Sequence, residues 1–290
     1  MREGRPRRLR NSLDSGSAVF DRIRDDRSRG AHALATEALT VLSRLTREWS
    51  GETELVLRRR FREVARALDR AQPAMGPFLR WAAEWRAMAR SPARHGMTKT
   101  ARAWLRRERD GLRIELARIL RTSRRRFPNA ALVVTLSRSQ SVLAALQSPP
   151  RSRRPGRILV LESLPGGEGR RFARELRQAG LPARMIPDSQ GDRAVQKAGL
   201  VLFGADAVFS DGSVVHKVGT RRLATAAARA GVPVVVVAGH SKFTGRRPPR
   251  RRLPALFDRT PVRYVSEFWT DRGVRPGRSR FRVRSQRSPL

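Results

Sequence analysis

The chain has 290 residues and a mass of 32.7 kDa, room for one large domain or two modest ones with a proper core. Apolar residues make up 39% and charged residues 30%, which excludes a disulfide miniprotein, a collagen-like chain and a wholly disordered tail. Without a cysteine there is no disulfide frame, no thiolate metal site and no cysteine nucleophile. The longest apolar run, Val232 to Ala238, falls far short of the ~20 residues of a membrane span. Residues 1–8 lead into no apolar signal segment, so a cytoplasmic protein without membrane association is expected.

Lys and Arg number 63 against 25 Asp and Glu, a net charge of +38. Such an excess points to nucleic acid as a partner. Only Lys99, Lys197, Lys217 and Lys242 are lysines, however, and an Arg bias of that kind also follows from GC-rich codon usage. The arginines are dense in three places: Arg124-Arg125-Arg126, Arg246 to Arg252, and a tail from Arg272 with no acidic residue after it. Nonspecific RNA binding is the expectation that this charge carries.

Residues 1–28 are polar and rich in Arg, Asp and Ser, and read as a flexible basic arm. From Ala31 to about Leu120 apolar residues fall at helical spacing: Leu34, Ala35, Ala38, Leu42 and Leu45 share one face, and Leu57, Phe61, Val64, Ala65 and Leu68 another. Pro73, Pro77 and Pro92 punctuate these helices, and no strand pattern interrupts them. Residues 29–123 are therefore expected to form a helical domain.

The texture changes at Arg124 to Asn129. Strands are expected at Ala131–Leu136, Arg157–Glu162, Ala183–Pro187, Leu200–Phe203 and Pro233–Ala238. Helices are expected between them at Ser139–Gln147, Glu168–Ala179, Asp192–Ala198 and Thr220–Ala230. Val- and Leu-rich strands alternating with helices predict an α/β, Rossmann-like domain over 124–275, with a mostly parallel sheet, followed by a basic tail over 276–290. Ligands of such sheets bind beyond the carboxyl ends of the strands, so the chemistry is sought there.

The first strand runs into Thr135-Leu136-Ser137-Arg138-Ser139, hydroxyls and a cation ahead of a helix, which suits a phosphate or a plain N-cap equally. The second runs into a Gly-rich turn around Glu168, and the third into Pro187-Asp188-Ser189. Beyond the fourth, Asp206 follows a strand expected to be buried, where a carboxylate is costly unless paired or useful. Lys217 is a lysine in a chain that otherwise uses Arg, and a compact ammonium is not interchangeable with a guanidinium. His216 stands beside it, and four scattered histidines make no metal set.

These residues resemble the family of the translation initiation factor 2B alpha, beta and delta subunits, which also holds the isomerases of 5-methylthioribose 1-phosphate and ribose 1,5-bisphosphate. The resemblance rests on Arg29-Gly30-Ala31, Pro73-Ala74-Met75, Thr135 to Ser141, Glu162-Ser163 with Pro165 and Glu168-Gly169, and Pro187-Asp188-Ser189. It rests above all on Gly204-Ala205-Asp206 through Asp211-Gly212 to Lys217-Val218-Gly219-Thr220, then Gly231 to Val234 and Phe257 to Pro261. It implies a helical domain followed by a Rossmann-like one, association as a homodimer through the latter, and no cofactor or metal.

In the isomerases the acid/base pair is a cysteine after the first strand and the aspartate of the G-A-D motif. Asp206 matches the aspartate, but Ser137 stands in the cysteine's place, and a hydroxyl is several pKa units weaker as an acid than a thiol. Leu164 replaces the arginine of the family's E-[ST]-R-P turn, His216 the asparagine before the lysine, and Gln72 the arginine before Pro73. Arg29, Gly30, Ala31, Arg138, Ser139, His216 and Lys217 remain as candidate phosphate and ligand contacts. The expected function is a sugar-phosphate- or nucleotide-monophosphate-binding protein without turnover. The alternatives are an aldose–ketose isomerase using Asp206 with Ser137 or His216, and an RNA- or ribosome-associated protein.

Overall fold

The apolar spacing from Ala31 onward builds the helices α1 (Ala31–Glu48), α2 (Glu54–Ala71), α3 (Gly76–Arg90) and α4 (Met97–Arg126). The computed structural model describes residues 18–26, 29–91, 96–249 and 253–277. The chain divides into two compact units, Met1–Arg113 and Ile114–Leu290, and the division falls inside α4.

In the helical unit the core is aromatic. Trp85 sits edge-on to Phe61 at 4.8 Å, to Trp104 at 5.6 Å and to Trp49 at 6.5 Å between ring centroids. Residues 18–25, expected as part of a flexible arm, are helical instead. Val19, Phe20 and Ile23 repeat at helical spacing and are buried, and Gln72 Nε2 donates to the Ile23 carbonyl at 2.6 Å. The rest of the arm reading, like Pro92, lies largely outside the described residues.

Charge is also buried here. Glu108 accepts from Arg80 at 2.5 and 3.1 Å and from Trp81 Nε1 at 2.8 Å. Burial pushes its carboxyl up, and the Arg80 guanidinium more than offsets this, holding it below the usual carboxylate range. Its stabilisation is therefore present above the unfolded carboxylate value and lost as pH falls through the lower folded one.

The second unit carries a seven-stranded sheet in the order β10-β9-β7-β4-β1-β2-β3. Its strands are β1 (Leu132–Leu136), β2 (Arg157–Leu161), β3 (Ala183–Ile186), β4 (Leu200–Phe203), β7 (Val234–Val237), β9 (Glu267–Thr270) and β10 (Gly273–Pro276). All pairings are parallel except β9 with β10. The helices α5 (Gln140–Gln147), α6 (Glu168–Gln178), α7 (Gly191–Gln196) and α8 (Thr220–Arg229) connect the strands, as the alternating pattern predicts. Each expected strand is found within about a residue of its place, because a strand buried on both faces reads as an unbroken Val/Leu run.

A second, three-stranded antiparallel sheet, β5-β6-β8, is formed by β5 (Ala207–Val208), β6 (Val214–Lys217) and β8 (Phe257–Thr260). Of the tail expected over 276–290, Pro276 is instead the last residue of β10, paired with Glu267, and the Gly277 amide donates to the Ser266 carbonyl at 2.9 Å; residues 278–290 lie outside the described ones.

We expect Glu108→Ala to cost about 2–3 kcal/mol in chemical denaturation at neutral pH, because buried Arg80 then keeps only Glu84 and Trp81 Nε1 loses its acceptor. The double change Arg80→Leu with Glu108→Leu should recover most of that loss. A cost below 1 kcal/mol for the single change would contradict the pairing.

Candidate functional site

The strand order reverses between β1 and β4. The chain builds β1, β2 and β3 outward on one side, then crosses back through α7 to lay β4 on the other side of β1. Loops leaving two such neighbours part in opposite directions and open a crevice at their carboxyl ends. Ser137 follows β1 at this point, and Gly204-Ala205-Asp206 follows β4.

On the β1 side the loop is strained and heavily tied. Ser137 has φ of 63° and Ser163 φ of 70°, left-handed conformations uncommon for side-chain-bearing residues. The Ser137 amide donates to Ser163 Oγ at 2.7 Å, and Ser163 Oγ donates to the Leu161 carbonyl at 2.8 Å. Asp188 then accepts from the amides of Ser163 and Leu164, each at 2.8 Å. Ser139 caps α5, its Oγ accepting from the Val142 amide at 3.3 Å. A methyl group at Gly204 would overlap Ser139 Oγ, so the G of G-A-D is set by that close approach.

On the β4 side the three-stranded sheet brings the charges together. The Asp206 amide donates to the Val215 carbonyl at 2.8 Å, setting Asp206 beside β6, which ends in His216 and Lys217. Lys217 is buried, and its Nζ donates to Glu168 Oε1 at 2.7 Å across from the start of α6. On the far side Val208 bridges Phe243, which puts Lys242 alongside the Asp206 segment. Lys242 is buried and has no hydrogen-bond acceptor or ion-pair partner among the described residues. Glu168 Oε2 and His216 Nε2 are likewise buried without a partner.

The electrostatics follow from this crowding. Burial pushes the Asp206 carboxyl up to about 6. Lys242 and Lys217 pull it down, and the neighbouring Glu168 adds to the rise. Burial drives His216 down to about 4, so its ring is neutral and its Nδ1–H donates to the Gly204 carbonyl at 2.7 Å, leaving Nε2 as an acceptor. Burial also lowers Lys242, against the pull of Asp206 and Glu115. Glu115, on α4, accepts from the Ser241 amide at 2.8 Å and from Ser241 Oγ at 3.0 Å. Its carboxylate occupies the space that a side chain at residue 239 would fill, so only glycine fits there.

Residues 27–254 match the model of the initiation factor 2 subunit family. The chain belongs to the initiation factor 2 subunit family. Among curated relatives in it, a translation initiation factor eIF-2B subunit 2-like protein of Pyrococcus abyssi is 29% identical over 270 residues, covering 88% of this chain and 94% of that protein. The ribose 1,5-bisphosphate isomerase of Haloferax volcanii is 31% identical over 180 residues, covering 53% of this chain and 55% of the isomerase. The fold matches the translation initiation factor eIF-2B of Pyrococcus horikoshii (TM-score 0.73, 23% identity, 91% of this chain and 96% of that one). It also matches the 5-methylthioribose 1-phosphate isomerase of the same organism (TM-score 0.61, 19% identity, 90% and 84%).

Of the residues the sequence singles out, Ser137, Arg138, Ser139, Asp206, His216 and Lys217 all lie at the carboxyl edge of the initiation-factor-like sheet. Arg138 reaches Glu175 on α6, its Nε at 2.8 Å from both carboxylate oxygens. Arg29 is in the helical unit, where it pairs with Asp26 at 2.6 Å and Glu37 at 2.7 Å. Gly30 is the N-cap of α1, and Ala31 its buried first residue. Each of the three expected cations thus already has a carboxylate.

The helix N-terminus after Lys217 is occupied as well. Asp258 accepts from the amides of Gly219 at 2.9 Å and Arg221 at 3.1 Å, at one side of an open hollow of about 640 Å³. Burial nonetheless pushes its carboxyl up to about 6. Sequence reading passed over Lys242, although the rarity of lysine that marks Lys217 marks it equally. Glu168 was legible only as part of a Gly-rich turn, and Glu115 lies 126 residues away in sequence from its partner Ser241.

The raised Asp206 carboxyl has a consequence for stability. In the folded state it holds a proton between about pH 4 and 6 that the unfolded chain has released, so stability falls as pH rises through that window. His216 acts oppositely, because the unfolded chain binds a proton there that the buried ring does not. We expect Asp206→Asn to be more stable than the wild type at pH 7, by about 1–3 kcal/mol, with the difference vanishing below pH 4. Melting curves across that range check it, and a variant less stable at every pH would contradict the burial of this charge.

Proposed function

We propose that the chain is a ligand-binding member of its family, holding a phosphorylated small molecule, a sugar phosphate or nucleotide monophosphate, at the carboxyl edge between β1 and β4 without turning it over. The carrying observation is the pair of buried acceptors without a partner near Asp206, Glu168 Oε2 and His216 Nε2, together with the buried residue Lys242, which has no hydrogen-bond or ion-pair partner among the described residues. A donor, two acceptors and a raised carboxyl suit an oxygen-rich ligand with hydroxyls to give and an anionic group to place. Lys217, locked to Glu168, supplies a fixed charge, and Lys242 the cation that meets the ligand. Ser137 supports the absence of turnover, since its hydroxyl lacks the acidity of the thiol that the resembled isomerases place there.

A second reading, an active aldose–ketose isomerase, is favoured by Asp206 itself. A carboxyl near 6 is poised to take and return a proton at neutral pH. Association of two copies through the sheet-bearing unit and residence in the cytoplasm belong to the same proposal. Association is supported by the likeness to a subunit fold found in a tetrameric eIF2B complex from Chaetomium thermophilum (TM-score 0.76, 18% identity, 93% of each chain), and a cytoplasmic place by membership of an initiation factor family.

Thermal-shift titration with ribose 1,5-bisphosphate, 5-methylthioribose 1-phosphate and nucleoside monophosphates tests the binding. A ligand at 100 times its Kd adds about 2.7 kcal/mol. Lys242→Met should weaken binding about tenfold to a hundredfold, the worth of a charge-assisted bond, and Arg138→Ala should weaken it less, because that guanidinium is already engaged by Glu175. No interconversion of either sugar phosphate with its ketose is expected, even at high protein concentration. Clear wild-type turnover that disappears in Asp206→Asn would establish the isomerase instead.

A further inference from the structure

Between Leu116 and Leu161 the chain has ten arginines and no aspartate or glutamate. Codon usage spreads arginine through a sequence but does not clear carboxylates from a 46-residue stretch. The fold gathers the ends of this stretch at the amino edge of the sheet, opposite the site described above. The C-terminus of α4 leads into β1 there, and residues 148–156 lead into β2, its neighbour.

Arg153 fastens the two segments together. Its guanidinium donates to the Arg124 carbonyl at 3.2 Å and the Phe127 carbonyl at 3.5 Å. Around this clasp Arg124, Arg125, Arg151, Arg154 and Arg157 are exposed, and none has a carboxylate partner among the described residues. Exposed Arg184 extends the row onto β3, the next strand in the sheet. The helix C-terminus attracts about half a unit of positive charge, which accounts for one of these side chains and not six. Glu267, at the start of β9 on the same edge, is engaged by Arg126.

We infer that this amino-edge row of arginines is a docking surface for the phosphate backbone of RNA, separate from the small-molecule site. Adjacent parallel strands lie about 4.8 Å apart, so Arg157 on β2 and Arg184 on β3 start from neighbouring strands at one edge, with Arg124 and Arg125 at the end of the helix that leads into β1. Planar forks bind phosphate oxygens two at a time, and arginine serves this better than lysine. The described chain also leaves the sheet at this edge. Gly277 follows Pro276, opposite the start of β9, and the sequence beyond it holds five further arginines and no acid.

The test is fluorescence anisotropy of the full chain with a labelled 20-nucleotide polyuridine between 0.05 and 0.3 M salt. Arg151→Glu with Arg154→Glu is compared with a control of equal charge change on the helical unit, Arg62→Glu with Arg66→Glu. The patch pair should weaken binding at least tenfold at 0.15 M salt. It should also flatten the slope of log K against log salt by about 1.4, since each phosphate contact to a single strand contributes about 0.7. The control pair should change affinity less than threefold. The gentler pair Arg154→Gln with Arg157→Gln, with melting curves alongside, serves if charge reversal disturbs folding. Equal losses in patch and control variants, an unchanged patch variant, or displacement of the RNA by polyglutamate at matched charge would each overturn the proposal.

Discussion

Removing a charge from water costs several kcal/mol unless an opposite charge or a hydrogen bond meets it, and the region beyond β4 concentrates that cost. Asp206, Glu168, Lys217 and Lys242 converge there, with the neutral His216 ring beside them. One pair, Lys217 with Glu168, is satisfied internally and ties β6 to the start of α6. The remainder is held by geometry rather than by pairing. The bridge from Val208 to Phe243 fixes Lys242, the antiparallel turn into β6 fixes Asp206, and Glu115 pins the segment carrying Lys242 through Ser241. A structure that keeps unmatched polar groups buried against their cost is consistent with a partner that arrives from outside.

The same crowding shapes the choice between binding and catalysis. Two ammonium groups near Asp206 lower its carboxyl, yet burial and the Glu168 charge outweigh them. That leaves a group able to hold a proton near neutrality, as an acid/base catalyst must. What the β1 side offers opposite it is the Ser137 hydroxyl, on a residue forced into a left-handed conformation and tied through its amide to Ser163. The scaffolding of the resembled isomerases is present around a group of much lower acidity.

The parallel core was legible because Val133 to Leu136, Ile158 to Leu161 and Val234 to Val237 are buried on both faces and show as short apolar runs. The small antiparallel sheet was not, because β6 mixes Val214 and Val215 with His216 and Lys217, and its partner β8 is forty residues away and carries Asp258 and Arg259. The helix over residues 18–25 was hidden by its charged surroundings, where only Val19, Phe20 and Ile23 carry the pattern. Within the site, the residues next to strand ends were readable from the sequence: Ser137, Asp206 and Lys217. Their counter-charges were not, since Glu168, Glu175 and Glu115 reach them through tertiary packing, and no spacing rule predicts such a pairing.

The central claim is that the unmatched buried groups around Asp206 are matched by a ligand. A crystal structure of the protein with bound ribose 1,5-bisphosphate tests it most directly. The account predicts an anionic oxygen of the ligand against Lys242 Nζ, and hydroxyls donating to His216 Nε2 and Glu168 Oε2, with the Lys217–Glu168 bond intact. A sugar phosphate bound elsewhere on the chain, with these three groups still unpaired, would contradict it.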